Sequence, residues 1–196
     1  MTSALHAVTL TGIVINLSLS TNRELPIKEL EKRHPGISVG LAVSFCEAVA
    51  ICLHRHHQSP ADINIKHNSE LIATASWDLP DDSIQRAWAN EIDATEAGAY
   101  GMALASIEIS DGLVAYTRAE TLSGVDYYLG PADNTLLDLE NSHRLEVSGI
   151  STDNESKMIA RLKRKIDQAK AGNSNLPAIA AIVGFLSKSV LMGDLE

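Results

Sequence analysis

The order of predicted elements between residues 83 and 185 limits this 196-residue chain to few architectures. A helical pattern of apolar residues over about 83–109 is followed by three short runs rich in β-branched and apolar residues. These runs predict strands at Gly112–Arg118, Gly124–Leu129 and Arg144–Ile150. A second helical pattern covers Glu155–Lys170, and Pro177–Phe185 is apolar enough to form a strand that is buried on both faces. The resulting order of helix, three strands, helix and strand predicts an α/β (α+β) core.

The part of the chain before this core predicts a smaller set of elements. The β-branched run Ala7–Leu19 favours a strand or half of a hairpin. Ser38 can cap a helix that continues to about His57, because apolar residues recur after it at spacings of three and four. Alternating apolar residues then predict a β-hairpin, formed by Ala61–Lys66 and Leu71–Trp77.

These patterns divide the chain into an N-terminal elaboration of strand, helix and hairpin at 1–80 and a core at 81–196. Within the core, Gly98 and Gly101 weaken the first helix by roughly 1 kcal/mol each relative to Ala. They therefore predict either a break in that helix or close packing on another backbone. The tail Ser189–Glu196 is expected to add a last edge strand.

Composition restricts the classes of partner. The formal net charge of −9 argues against a protein that coats nucleic acids in general, because such binding depends on Lys and Arg neutralising phosphates. Cys46 and Cys52 lie six positions apart in an apolar stretch and are expected to be buried free thiols. No Lys or Arg precedes Arg23, and Asn16 and Ser18 interrupt the first apolar run, so neither a signal peptide nor a membrane span is expected. We expect a cytoplasmic protein of bacterial type that makes no membrane contact.

Several familiar catalytic motifs are missing from the sequence. It contains no GxxxxGK[ST] or GxGxxG phosphate loop, no HExxH zinc motif and no GxSxG nucleophile turn. With 4% aromatic residues, it also offers little material for a platform on which single-stranded bases stack. ATPase, dinucleotide-dependent, zinc-peptidase and α/β-hydrolase functions therefore lose their usual sequence support.

Two carboxylates stand at the positions where the core strands are expected to be neighbours. Asp126 opens the second strand, in Ser-Gly-Val-Asp-Tyr-Tyr, and Glu146 lies on the third. Alternation along the third strand places Glu146 and Ser148 on the same face. Such oxygen ligands suit a hard divalent cation, Mg²⁺ or Mn²⁺. Each also has a structural alternative, since Asp126 can be a turn residue and Glu146 an exposed strand residue paired with Arg118 or Arg144.

The second core helix has one basic face. Six of the chain's 16 cationic residues fall in this short segment: Lys157, Arg161, Lys163, Arg164, Lys165 and Lys170. Arg161, Lys165 and Gln168 are spaced to lie along one stripe beside the apolar face. Such a face either binds phosphates or an acidic partner, or it is a solvated surface that balances an acidic protein.

With these residues, the chain resembles the PD-(D/E)xK, or restriction-endonuclease-like, nuclease superfamily, whose core has the same order of elements. The resemblance implies that Asp126 and Glu146 hold a divalent metal. It also implies that Glu96, or alternatively Glu91, supplies the acidic residue of the first core helix. Ser148 stands where the family has a Lys two residues after the Glu. Some members move that Lys to the following helix, where Lys165 is the candidate.

The resemblance implies a restriction-endonuclease-like core at 81–196 and a Mg²⁺- or Mn²⁺-dependent endonuclease. On this interpretation Asp126, Glu146, Lys165 and Gln168 are catalytic, and the metal ligands are Asp126, Glu146 and Glu96. DNA would contact the basic helix through Arg161, Arg164 and Lys165, in restriction, repair or phage defence. The alternative is a non-catalytic subunit or adaptor of a bacterial complex built on the same fold. In either case we expect a protein partner or a homo-oligomer.

Overall fold

The computed structural model describes residues 23–120, 123–132, 142–152, 154–170 and 176–195, without the side chains of 168–170 and 195. The strand predicted at Ala7–Leu19 lies outside these residues. Within them, the α-helices are α1 (Val39–His54), α2 (Asp82–Ala87), α3 (Glu91–Asp111) and α4 (Glu155–Lys170), and a 3₁₀ turn covers Leu30–Lys32. The strands are β1 (Arg23–Glu24), β2 (Ala61–Lys66), β3 (Glu70–Ala75), β4 (Leu113–Arg118), β5 (Tyr127–Pro131), β6 (His143–Ile150), β7 (Ala178–Gly184) and β8 (Ser189–Leu195).

All the described strands form a single mixed sheet in the order β1-β3-β2-β8-β7-β6-β5-β4. The pairs β1/β3, β2/β8 and β6/β7 are parallel, and the other pairs are antiparallel. The α/β class is confirmed, as is the hairpin of β2 and β3. Every residue of β7 is buried, as its unbroken apolar sequence predicts.

The tail strand is not at the edge of the sheet, and that prediction was wrong. β8 lies between β7 and β2, and Val190, Leu191 and Met192 within it are buried. The reason is the parallel pairing of Asn64–Lys66 in β2 with Ser189–Leu191 in β8. This pairing joins the hairpin to the same sheet as the core strands.

The helix predicted over 83–109 is in fact two helices, α2 and α3. Trp88 ends α2 with φ −102° and ψ 31°, and the side chain of Asn90 then caps α3 by accepting a hydrogen bond of 3.0 Å from the Ile92 amide. Asn is a strong helix N-cap, and this local bond interrupts the helical period. As a result Ile92 does not continue an apolar stripe; it is 76% exposed.

The glycines of α3 mark close packing on α1. A Cβ added to Gly98 would lie 3.1 Å from the Ala48 carbonyl oxygen, and one added to Gly101 would lie 3.2 Å from the Phe45 Cβ. Of the two outcomes predicted for these glycines, close approach to another backbone is therefore the correct one. Cys46 and Cys52 are free thiols, with Cys52 buried and Cys46 half-buried.

The two long core helices cover opposite faces of the sheet. Gly149 of β6 packs against Thr95 and Ala99 of α3. Ile150, the next residue, belongs to a cluster with Met158 of α4. Because neighbouring strand residues point to opposite faces, α3 and α4 lie on either side of β6.

A partly buried cluster of Arg33, His34 and Glu108 joins the loop before α1 to α3 and β4. The Ala115 amide donates to His34 Nδ1 at 3.0 Å, so the proton of a neutral ring is on Nε2, 3.1 Å from Glu108 Oε2. Arg33 Nε donates to Glu108 Oε1 at 2.7 Å. Burial by itself would raise the pKa of Glu108, but the bonds from His34 and Arg33 outweigh it and lower that pKa. The ionised carboxylate is therefore the stabilising form.

Replacing Glu108 with Ala is expected to lower the free energy of unfolding by about 2–3 kcal/mol, because fully buried His34 loses its partner. Urea denaturation at pH 7 measures this change. Because the folded-state pKa lies below the ordinary value of 4.5, the contribution is present above that value and is lost as the pH falls through the lowered one. The exposed Glu120→Ala variant serves as the control. Equal stability of the two variants at pH 7 would contradict the role of Glu108.

Candidate active site

The candidate site lies beside the part of β6 that extends past its pairing with β5. β7 pairs with β6 from Arg144 to Ile150, whereas β5 pairs with it only from His143 to Leu145. Among the described strands, none pairs with the β5 side of β6 beyond Leu145, and this stretch is the open edge of β6. A cleft of about 630 Å³ opens here, between α3 and α4.

The cleft brings together most of the side chains that the sequence singles out. Those that line it are Glu91, Glu96, Asp126, Glu146, Ser148, Arg161 and Lys165. Arg164 is exposed on α4 and is not part of the lining. Gln168 lies in α4, but its side chain is outside the described residues. The lining also includes Tyr100, which the sequence interpretation did not select.

Asp126 is held from both sides at the start of β5. Its backbone amide donates to the Leu145 carbonyl at 2.7 Å, which sets the register of β5 against β6. Its Oδ1 accepts from the Tyr100 hydroxyl at 2.7 Å, and its Oδ2 accepts from the Val147 amide at 2.8 Å. These bonds fix the orientation of the carboxylate, and they leave a second lone pair on each oxygen.

The Glu146 side chain leaves β6 on the α4 face and reaches the cleft that Asp126 lines. Its Oε1 is bonded to Lys165 Nζ, and its side chain is only 15% exposed. Burial raises the pKa of Glu146; the bond from Lys165 opposes this rise, and the nearby charge of Asp126 adds to it. Both carboxylates line the cleft, and Asp126 is bonded to the amide of Val147, the residue next to Glu146. Lys165 offsets part of their repulsion.

The Tyr100 side chain, which donates to Asp126, is itself in contact with Arg118. The guanidinium carbon of Arg118 lies 5.0 Å from the centre of the Tyr100 ring and 5.4 Å from that of Tyr127. Both distances are within the range of cation–π contacts. Sequence reasoning missed Tyr100 because an aromatic residue on an apolar helix is usually a core residue. Its spacing of four from Glu96 was the available signal, since residues four apart lie on one helix face.

The basic face of α4 contributes two residues to the cleft. Arg161 Nη1 donates to the Gly149 carbonyl at 2.9 Å, on the open edge of β6, and Lys165 is bonded to Glu146. Lys163 and Arg164 are exposed outside the cleft. The cleft therefore has a cationic wall on α4 and an acidic wall on α3, where Glu91 and Glu96 are exposed.

The open edge of β6 supplies a further oxygen. Arg144 donates its amide to Pro177 on the β7 side, whereas the Leu145 carbonyl accepts from Asp126 on the β5 side. Backbone groups of successive strand residues alternate between the two edges, so the Val147 carbonyl points to the open edge. It lies on the same edge as the Val147 amide that binds Asp126.

The donor set suits a small hard cation. Within the described part of the chain, no three side chains of His, Cys, Asp or Glu converge closely enough to hold a metal ion. Mg²⁺, however, is usually bound by one or two carboxylates and keeps several waters. Asp126 and Glu146, with the Val147 carbonyl, match that requirement. Glu96 lies one helical turn before Tyr100 on α3, and its Oε1 is 3.4 Å from the Tyr100 hydroxyl.

Fold and site together define a mixed α/β protein with two carboxylates and a lysine in one cleft. Comparisons with family models, curated proteins and solved structures found no match to this chain. The resemblance to the restriction-endonuclease-like superfamily therefore stays a prediction. No helix among the described residues is both long and apolar enough to cross a lipid bilayer.

Proposed function

We propose that this chain is a divalent-metal-dependent nuclease that hydrolyses phosphodiester bonds in DNA. The observation that carries the proposal is the meeting of Asp126, Glu146 and Lys165 in one cleft, from two adjacent strands and the helix that follows them. Two carboxylates can hold Mg²⁺, and a nearby ammonium can stabilise charge that develops on a phosphate.

The acidic residues of the cleft would bind the metal ion, and the basic residues would contact the phosphate. Asp126, Glu146 and the Val147 carbonyl would hold Mg²⁺ or Mn²⁺, which supplies Lewis-acid polarisation of the phosphate and a water of lowered pKa. The Lys165 ammonium, after leaving Glu146, stabilises negative charge that develops on the phosphate. Arg161 donates from one nitrogen to the Gly149 carbonyl, and its remaining N–H groups can bind a phosphate oxygen of the same DNA strand.

The direct test is cleavage of plasmid and linear DNA by the purified chain, with Mn²⁺ or Mg²⁺ added and with EDTA as the control. Cleavage that needs the metal and persists through successive purification steps supports the proposal. Purified protein that leaves all DNA intact at every metal concentration rejects it.

Metal binding is expected to stabilise the fold even without DNA. At a Mn²⁺ concentration 100 times the dissociation constant, the gain is about 2.7 kcal/mol, which corresponds to roughly 5–10 °C in Tm for a chain of this size. Thermal unfolding with increasing Mn²⁺ measures the shift. EDTA should reverse it, and Asp126→Asn should remove it. A Tm that is unchanged by Mn²⁺ in the wild-type protein would count against a metal site.

A second function is favoured by one feature of the site. Both oxygens of Asp126 accept hydrogen bonds from the protein, and Glu146 is bonded to Lys165. A network satisfied in this way can also be purely structural, which suits a non-catalytic subunit or adaptor. That function predicts no Mn²⁺ binding by calorimetry and a stable partner in a pull-down. A tight Mg²⁺ or Mn²⁺ site would reject it.

A further inference from the structure

Tyr100 is a buried residue whose hydroxyl is aimed at the candidate site. The residue is 7% exposed, and its hydroxyl lies 2.7 Å from Asp126 Oδ1 and 3.4 Å from Glu96 Oε1. A phenol has only one proton to donate. The shorter distance assigns that proton to Asp126, because hydrogen bonds weaken steeply with length.

Arg118 also contacts the Tyr100 oxygen, and this contact reinforces the direction of the phenol proton. Its Nη2 lies 3.5 Å from the Tyr100 oxygen and its Nη1 lies 3.3 Å from the Tyr127 oxygen. A guanidinium is a donor only, so the Tyr100 oxygen can act only as an acceptor towards it. The phenol proton must therefore point away from Arg118, towards the carboxylates. The faces of the two rings also hold the guanidinium in place.

Asp126 is thus fixed by groups from two different elements. Tyr100 reaches it from α3, and the Val147 amide reaches it from the open edge of β6. Neither carboxylate oxygen can rotate away without breaking a bond. The remaining lone pairs of Asp126 are held in place in the cleft that Glu146 also lines.

We propose that Tyr100 is a positioning residue, which sets the Asp126 carboxylate in the orientation that binds the divalent cation, with Arg118 fixing the direction of the phenol proton. The inference rests on the proposed function, because it assigns Asp126 to a metal site. Hydrogen-bond partners of metal ligands typically change metal affinity by about 10–100-fold when they are removed.

Tyr127 provides a matched control on the neighbouring strand. Its ring is 5.7 Å from that of Tyr100, it is fully buried, and its oxygen accepts from the same Arg118. The described contacts of its hydroxyl do not include Asp126. Tyr127→Phe therefore removes a hydroxyl from the same cluster and keeps both hydrogen bonds that Asp126 accepts.

The experiment measures Mn²⁺ affinity by titration calorimetry for the wild type, Tyr100→Phe and Tyr127→Phe, without DNA. We expect Tyr100→Phe to bind Mn²⁺ about 10–100-fold more weakly and Tyr127→Phe to stay within about threefold of the wild type. DNA cleavage by Tyr100→Phe should recover at saturating Mn²⁺, which a general loss of structure would not allow. Circular dichroism checks that each variant is folded.

Arg118→Gln is the second variant, at an exposed position, and it covers the case in which Tyr100→Phe does not fold. It should weaken Mn²⁺ binding in the same direction but less, since the phenol stays in place. Unchanged affinity in Tyr100→Phe, or an equal loss in Tyr127→Phe, overturns the inference while the proposed function stands. A wild-type protein that binds no Mn²⁺ overturns both.

Discussion

Asp126→Asn and Glu146→Gln are each expected to lower Mn²⁺-dependent DNA cleavage by about 10²–10³-fold, the usual cost of removing one charge-stabilising group from a hydrolytic site. Each change keeps the shape of the side chain and removes the negative charge that a divalent cation requires. The rate should be measured on plasmid DNA at a fixed Mn²⁺ concentration above the wild-type dissociation constant, and then across a Mn²⁺ titration.

Loss of folded protein cannot account for an effect of this size. Asn at position 126 keeps one acceptor oxygen, so it loses about one of the two bonds that Asp126 accepts, at a cost of roughly 1 kcal/mol. Against a typical stability of about 5–15 kcal/mol, almost all of the protein remains folded. Asp93→Asn is the matched control, because Asp93 is exposed on α3 outside the cleft lining. Wild-type cleavage in both site variants would exclude Asp126 and Glu146 from the reaction.

Much of the fold was predictable because its signals are local. The hairpin of β2 and β3, the N-cap of α1 at Ser38 and the fully apolar β7 each follow from a few neighbouring residues. The position of β8 depends instead on its parallel partner β2, which is far away in the sequence. A strand of seven residues that mixes apolar residues with Ser189 and Asp194 is compatible with an edge or a central place, so only the pairing could decide.

The break between α2 and α3 was missed for a different reason. Apolar residues keep a helical spacing across Trp88–Asn90, so the period predicts one helix. The bond between the Asn90 side chain and the Ile92 amide competes with that period over a single turn. This break sets the start of α3, and with it the positions of Glu91 and Glu96 at the cleft.

The candidate site was partly predictable. The convergence of Asp126 and Glu146 follows from placing them on strands that are consecutive in the chain, and consecutive strands are usually neighbours. Lys165 was selected through the resemblance, as a lysine on the helix that follows Glu146, and its spacing placed it on one stripe with Arg161. The roles of Tyr100 and Arg118 depend on the packing of α3 against β4 and β5, which no local pattern reports. Val147 contacts Asp126 through its backbone amide, and the identity of its side chain gives no signal of that contact.

Lys165→Met is expected to lower the rate of DNA cleavage by about 10²-fold and, at the same time, to leave Mn²⁺ affinity unchanged or higher. The rate falls because the ammonium that opposes developing phosphate charge is gone. The affinity does not fall because the ion pair with Glu146 is also gone, and this carboxylate is then free to bind the cation. Single-turnover cleavage measures the rate, and calorimetry without DNA measures the affinity.

Opposite changes in rate and affinity separate a catalytic lysine from a structural one. A lysine that only neutralises Glu146 within the fold would, when removed, change the free energy of unfolding and the cleavage rate together. Lys163→Met is the control, because Lys163 is exposed on the same helix outside the cleft lining. It should reduce DNA binding slightly, through the loss of one phosphate contact, and leave the single-turnover rate at saturating protein unchanged. An equal loss of rate in Lys163→Met and Lys165→Met would assign the effect to the charge of α4 as a whole and not to Lys165.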